Sequence, residues 1–175
     1  MSDERLQTQP TERAFSLTST ELLVVVGLAC DFTREDFEKG LNIGPNGLEA
    51  DKWRIAEKYQ SRTKSDGLHK AIVDVVLRRN VFVEVIIAQF FKRGLIEKGI
   101  ERFAGDPMER LDVGEQEMLR LMYQGLPRIK IARELALIET DVGKGERAIC
   151  GKLNVKTTYA VVAHLAFENQ RRGLL

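Results

Sequence analysis

The chain has 175 residues, of which 27 are Lys or Arg and 26 are Asp or Glu, so its formal net charge is +1. A charge this close to zero gives no whole-molecule field that would draw the chain to nucleic acid or to a membrane surface. The apolar run from Leu22 to Ala29 is too short to span a bilayer, and two isolated cysteines predict free thiols in a reducing cytoplasm.

The first part of the chain predicts helices separated by turns. Met1–Ser16 is polar and without periodicity, so we expect a flexible tail there. Thr18 and Glu21 have the spacing of a capping box, which predicts that a helix begins there. Further helices are predicted from Thr33 to Leu41, from Leu48 to Arg62 after a turn at Asn42–Gly47, from Leu68 to Arg79 with Asp66 as its cap, and from Val81 to Ile96.

The predicted fold class is all-α. Residues 17–106 predict a bundle of five or six helices that acts as an interaction or regulatory domain, and we see no internal repeat in the sequence. A cluster of turn residues from Gly105 to Arg110 marks the boundary with a second domain, residues 107–175.

The last third of the chain, from Leu111 to Tyr159, predicts three short helices divided by tight turns, with a fourth helix after them. Glu115–Gln124 has apolar residues at helical spacing and ends at Gly125, and Pro127 suits the first turn of the next helix. Two short helices joined by a turn of three or four residues are typical of the helix-turn-helix, whose second helix can enter a DNA major groove.

The same stretch resembles the four-helix DNA-binding domain of the LuxR/GerE family of bacterial transcription regulators. Three runs of residues carry the resemblance without a gap. They are Leu111, Glu115, Glu117, Leu119, Leu121 and Gly125; then Leu126, Ile131, Ala132, Leu135 and Leu137; then Val142, Ile149, Lys152, Leu153 and Val155. Most of these are core and turn positions, so they indicate the fold more strongly than the activity.

The resemblance implies a homodimer and double-stranded DNA as partners. The fourth helix of the family forms the dimer, and it corresponds here to Thr157–Phe167, with Tyr159, Val162, Ala163, Ala166 and Phe167 at helical spacing. The N-terminal part is too short and too helical for the acyl-homoserine-lactone or phosphoreceiver domains that accompany this DNA-binding domain elsewhere, which leaves a protein partner as its expected ligand.

The chain departs from the family pattern in the helix expected to contact DNA. Gly143 and Gly145 replace a basic residue and a histidine, while Asp141 and Glu146 add negative charge. Arg147 is expected to contact a guanine and Lys144 a phosphate. The full set of predicted DNA-binding residues is Lys144, Arg147, Lys152, Lys156, Arg128 and Lys130.

No pattern in the sequence indicates catalysis, a cofactor or a metal site. His69 and His164 are isolated, and no cysteine or carboxylate cluster has metal-ligand spacing. We therefore expect a transcription regulator and not an enzyme. The alternative is a protein-interaction module or antiactivator that keeps the helix-turn-helix fold but no longer reads DNA.

Overall fold

The computed structural model describes residues 17–78, 81–96 and 105–173. Within these ranges the chain forms helices and no strand, so the all-α prediction is confirmed. The helices are α1 (Ser19–Ala29), α2 (Arg34–Leu41), α3 (Pro45–Lys58), α4 (Lys64–Leu77), α5 (Val81–Lys92), a 3-10 turn (Pro107–Arg110), α6 (Val113–Tyr123), α7 (Arg128–Glu134), α8 (Glu139–Leu153) and α9 (Thr158–Arg171). The predicted tail, Met1–Ser16, lies outside the described residues.

Capping residues fix where several helices begin. The Thr18 side chain accepts a hydrogen bond from the Glu21 amide while the Glu21 carboxylate accepts one from the Thr18 amide, as the sequence predicts. Two predicted starts were wrong. Helix α3 begins at Pro45, inside the expected turn, because proline is suited to the first helical position. Thr63 is the N-cap of α4, and Asp66 is the acidic partner in its capping box.

The first four helices are a structural repeat of the last four, which the sequence analysis did not find. Residue n of α1–α4 corresponds to residue n + 94 of α6–α9, without insertion or deletion. The rule holds for N-caps (Thr18/Asp112, Thr33/Pro127, Gly44/Ile138, Thr63/Thr157), for residues with positive φ (Asp31/Gly125, Asn42/Ala136, Gln60/Asn154) and for the final C-caps (Arg78/Arg172). We call α1–α4 the first unit and α6–α9 the second unit.

The two units pack through corresponding helices. Helix α4 lies against α9, and the reciprocal contacts of α1 with α9 and of α4 with α6 are both present. Ser65 and Tyr159, which are equivalent residues, line the same groove between the two units. Such self-matching contacts are those of a two-fold interface, so the chain contains a pseudo-two-fold pair of units. Buried residues of both units belong to one continuous hydrophobic core.

The units differ in how closely their third and fourth helices approach. In the first unit, a Cβ added at Gly67 would lie 2.5 Å from the Cα of Ala56, so α3 and α4 meet almost backbone to backbone. The equivalent positions in the second unit carry Val161 and Cys150, whose side chains need more space. Gly67 and Ala56 therefore allow a closer contact than the second unit can make.

The described residues contain neither a candidate membrane span nor a cluster of metal ligands. None of their helices combines the length and the apolar character that a bilayer span requires. No group of three or more His, Cys, Asp or Glu residues among them is placed to hold a metal ion.

We predict that Gly67→Ala destabilises the protein by about 1–3 kcal/mol, because the new methyl group must push the α3 backbone away. Gly47→Ala is the matched control, since its Cβ would meet no atom within 4 Å in the same pair of helices. The measurement is urea unfolding followed by circular dichroism. Equal stability of the two variants would contradict the close α3–α4 contact.

A second prediction concerns pH. His69 is buried on α4 with both ring nitrogens unpartnered, its ring centroid lies 5.3 Å from that of Tyr159, and burial lowers its pKa to about 4. In the unfolded chain His69 takes up a proton near pH 6.5, whereas in the folded chain it does not. The neutral, buried His69 therefore costs the protein no stability above that pH, and the free energy of unfolding falls as the pH is lowered towards 4.

His69→Leu should therefore reduce the loss of stability between pH 7 and 4.5 by on the order of 2 kcal/mol. Urea unfolding at several pH values measures this difference. Burial also lowers the pKa of His164, so part of the pH dependence should remain in the variant. An unchanged pH dependence would show that His69 takes up its proton as readily in the folded chain as in the unfolded one.

Candidate nucleic-acid interface

Helix α8 has one buried face and one exposed face. Val142, Ile149 and Leu153 are buried and anchor the helix, as their spacing predicts. The opposite face borders an open groove of about 710 Å³ between α8 and the start of α9. Four of the six predicted DNA-binding residues line this groove, Arg128, Lys144, Arg147 and Lys156, together with Thr140 and Gly151.

In the middle of the exposed face of α8, Arg147 lies between two glycines that have no side chain. Gly143, Arg147 and Gly151 are four residues apart along α8 and so share one face. A Cβ at either glycine would meet no atom within 4 Å, which leaves open space on both sides of Arg147. Among the described residues, Arg147 makes no hydrogen bond or ion pair, and its guanidinium is available to a ligand. Sequence reasoning missed Gly151, although its spacing from Arg147 could have indicated it.

Most of the predicted DNA-binding cations already have a carboxylate partner. Lys144 Nζ lies 2.8 Å from Asp141, Lys152 Nζ lies 2.6 Å from Glu115, Lys156 Nζ lies 3.7 Å from Asp36, and Arg128 binds Glu146. Lys130 and Arg147 are exposed and unpaired within the described part of the chain. These surface pairs contribute little to stability, but each neutralises positive charge that a phosphate would otherwise meet.

The pair formed by Arg128 and Glu146 differs from the others because its carboxylate is buried. The sequence predicts that Glu146 adds negative charge to the helix expected to contact DNA, but only 5% of the residue is accessible. Arg128 donates from Nε to Oε1 of Glu146 at 3.0 Å and from Nη2 to Oε2, and the hydrogen bonds to Glu146 raise the pKa of Arg128. This bidentate contact fixes the start of α7 against α8. The expected role of Arg128 at DNA stays a prediction.

The two glycines discussed in the sequence analysis have different surroundings. Gly143 faces the open groove, whereas a Cβ at Gly145 would lie 2.6 Å from Cε of the buried Met118 on α6. Neither glycine has a positive φ, and α8 is continuous from Glu139 to Leu153. Gly145 therefore provides space for the core, and Gly143 lies on the exposed face.

The surface expected to form a dimer is not exposed. Val162, Ala163 and Ala166 on α9 are completely buried, and α9 packs against α1 and α4 of the same chain. A charge at Val162 would therefore disrupt the core of a single chain and would not test dimer formation. The predicted homodimer would need a different surface.

The two cysteines and His164 lie in packed or hydrogen-bonded positions. Cys30 is buried, and burial together with the nearby Asp31 carboxylate raises the pKa of Cys150 to about 11, so its thiol stays protonated. His164 Nε2 lies 2.8 Å from the carbonyl oxygen of Gly105, which ties α9 to the segment before α6.

Comparison of the chain with known protein families, curated proteins and solved structures gave no match.

We predict that Gly143→Ala stabilises the protein by up to about 1 kcal/mol, because alanine favours a helix and meets open space there. Gly145→Ala gains the same propensity but must displace Met118, so it should be less stable than Gly143→Ala. Thermal unfolding of the two variants measures the difference. The reverse order of stability would contradict the assignment of Gly143 to the open face.

Proposed function

We propose that the chain is a bacterial transcription regulator that binds double-stranded DNA through the exposed face of α8. The observation that carries the proposal is the unpaired Arg147 between two glycines on an otherwise well-anchored helix. A guanidinium can bind the O6 and N7 atoms of a guanine in a bidentate manner, and bare backbone on either side lets the helix approach the bases closely.

The arrangement of α6, α7 and α8 supports this function. Helix α7 ends at Glu134 and α8 begins at Glu139, so the connecting turn has the length that a helix-turn-helix uses. The resemblance of residues 111–167 to the LuxR/GerE DNA-binding domain points to the same use of α8. In this proposal Arg147 reads a base, and Lys130 and Lys144 contact phosphates.

A single chain supplies two units in this proposal. The fourth helix of the resembled family forms a homodimer, and here the equivalent helix α9 packs against α4, its counterpart in the first unit. We propose that this internal pair takes the place of the homodimer that the sequence predicted. One chain should then bind one DNA site without a second copy.

The ion pairs on the α7–α8 surface favour a second candidate function. Four of the six predicted cations have carboxylate partners, and Ile129, Leu137 and Ile138 are exposed around the turn between α7 and α8. Such a surface also suits a protein-interaction module that has lost DNA reading. Absence of DNA binding at low salt would favour this function.

We predict that Arg147→Ala weakens binding to a selected DNA site by about 1–3 kcal/mol if the arginine reads a guanine. Lys144→Ala should lower the salt slope of the binding constant by about one. Asp141→Asn should strengthen binding, because it releases Lys144 and removes a charge that repels phosphate.

Fluorescence anisotropy with duplexes selected from a random pool measures these affinities. Lys92→Ala is the matched control, since it removes an exposed cation from α5, away from α8. Sedimentation of the complex should give one chain per site. Equal affinity of wild type, Arg147→Ala and Lys92→Ala would overturn the assignment of α8 as the reading helix.

A further inference from the structure

A second groove, of about 630 Å³, lies where the two units meet. Trp53, Arg62 and Lys64 of the first unit form one part of it, and Ile129 and Glu139 of the second unit form another. The equivalent residues Ser65 and Tyr159 also line it, which places the groove at the pseudo-two-fold axis. We call it the junction groove.

The junction groove contains two large exposed apolar side chains. Trp53 on α3 is 50% accessible and Ile129 on α7 is 60% accessible. Monomeric proteins expose single apolar residues commonly, but an aromatic and an aliphatic side chain in one groove form a patch that suits a binding partner. Trp53 is also the single tryptophan of the chain.

The internal repeat shows that the fold does not need apolar residues at these two positions. The equivalent of Trp53 is Arg147, and the equivalent of Ile129 is Glu35, so each position accepts a charged residue in the other unit. Both equivalents are exposed in the same helical context. The fold therefore does not require apolar side chains at positions 53 and 129. A binding site for an apolar ligand would require them.

The charges around the patch indicate what kind of partner it fits. Three cations line the junction groove, Arg62, Lys64 and Arg128, against one carboxylate, Glu139, but Lys64 also pairs with Glu49 and Arg128 with Glu146. Arg62 is exposed and unpaired within the described residues, while Lys64 Nζ lies 5.5 Å from the centroid of the Trp53 ring. A ligand with apolar anchors and a flanking carboxylate would contact the two apolar side chains and would pair with Arg62.

We propose that the junction groove is a docking site for an acidic protein segment that inserts apolar side chains against Trp53 and Ile129. The occupant is a peptide and not nucleic acid, because the exposed aliphatic surface of Ile129 gains nothing from contact with phosphate. Its position at the junction would let a bound segment hold both units at once. The proposal does not depend on DNA binding by α8.

Trp53 provides a direct reporter for the test. The full-length chain is titrated with tryptophan-free peptides of about 15 residues that carry Leu and Phe at positions i, i+3, i+4 and i+7, the spacing of one helical face, with Asp and Glu between them. We expect saturable binding, with a blue shift of Trp53 emission. Peptides with Lys in place of the acidic residues should bind at least tenfold more weakly.

Three variants distinguish the junction groove from other apolar surface. Trp53→Arg and Ile129→Glu each introduce the residue found at the equivalent position of the other unit, and both should lower peptide affinity at least tenfold in an anisotropy assay with labelled peptide. Val113→Ser is the matched control, since Val113 is 81% accessible on α6 and its equivalent is Ser19. This control should bind the peptides as wild type does.

Several results would overturn the proposal. One is the absence of saturable binding by every acidic peptide. Another is equal affinity of the Ile129→Glu and Val113→Ser variants. A third is loss of duplex DNA binding in Trp53→Arg and Ile129→Glu without any peptide binding to wild type, which would make the groove part of a DNA surface. Because the wild-type titration is read from Trp53 itself, the test stands even if one variant fails to fold.

Discussion

The contact between α4 and α9 is the interaction on which the rest of this structure depends. Helix α9 is buried on nearly all sides, with six consecutive residues from Val161 to Ala166 at most 5% accessible. A helix that is apolar all round must lie in the centre of a domain, and here α1, α4, α6 and α8 surround it. Because α4 and α9 are equivalent helices, their contact also joins the two units into one core.

The first unit also supports the exposed face of α8, through a side chain that follows α1. Asp31 follows α1, and its carboxylate accepts hydrogen bonds from the Lys156 and Thr157 amides at 2.9 Å and from Thr157 Oγ1 at 3.0 Å. These bonds satisfy amides at the start of α9, where no intrahelical partner exists. The start of α9 is one wall of the groove beside α8. The first unit therefore positions the surface proposed to bind DNA.

The two units show that one fold can carry two different surfaces. Corresponding core positions stay apolar, as in Phe37 and Ile131 or Leu48 and Val142. The exposed positions diverge, so that α8 presents Arg147 where α3 presents Trp53. Function on such a scaffold depends on the exposed side chains and not on the fold. This divergence is the reason to propose DNA for one face and an acidic protein segment for the junction groove.

The sequence by itself determined the local features of this protein. Helix caps, apolar stripes and the glycines of α8 depend on residues three or four positions apart, and these predicted the all-α class and most helix boundaries. Only the tertiary structure decided the internal repeat and the pairing of cations with carboxylates on other helices, whereas Lys144 and Asp141 are three residues apart on α8. The repeat is hidden because different residues meet the same requirement: Asp31 and Gly125 both adopt positive φ, and a core accepts any apolar residue of suitable volume. The ion pairs are hidden because partners such as Asp36 and Lys156 meet only after the two units have packed together.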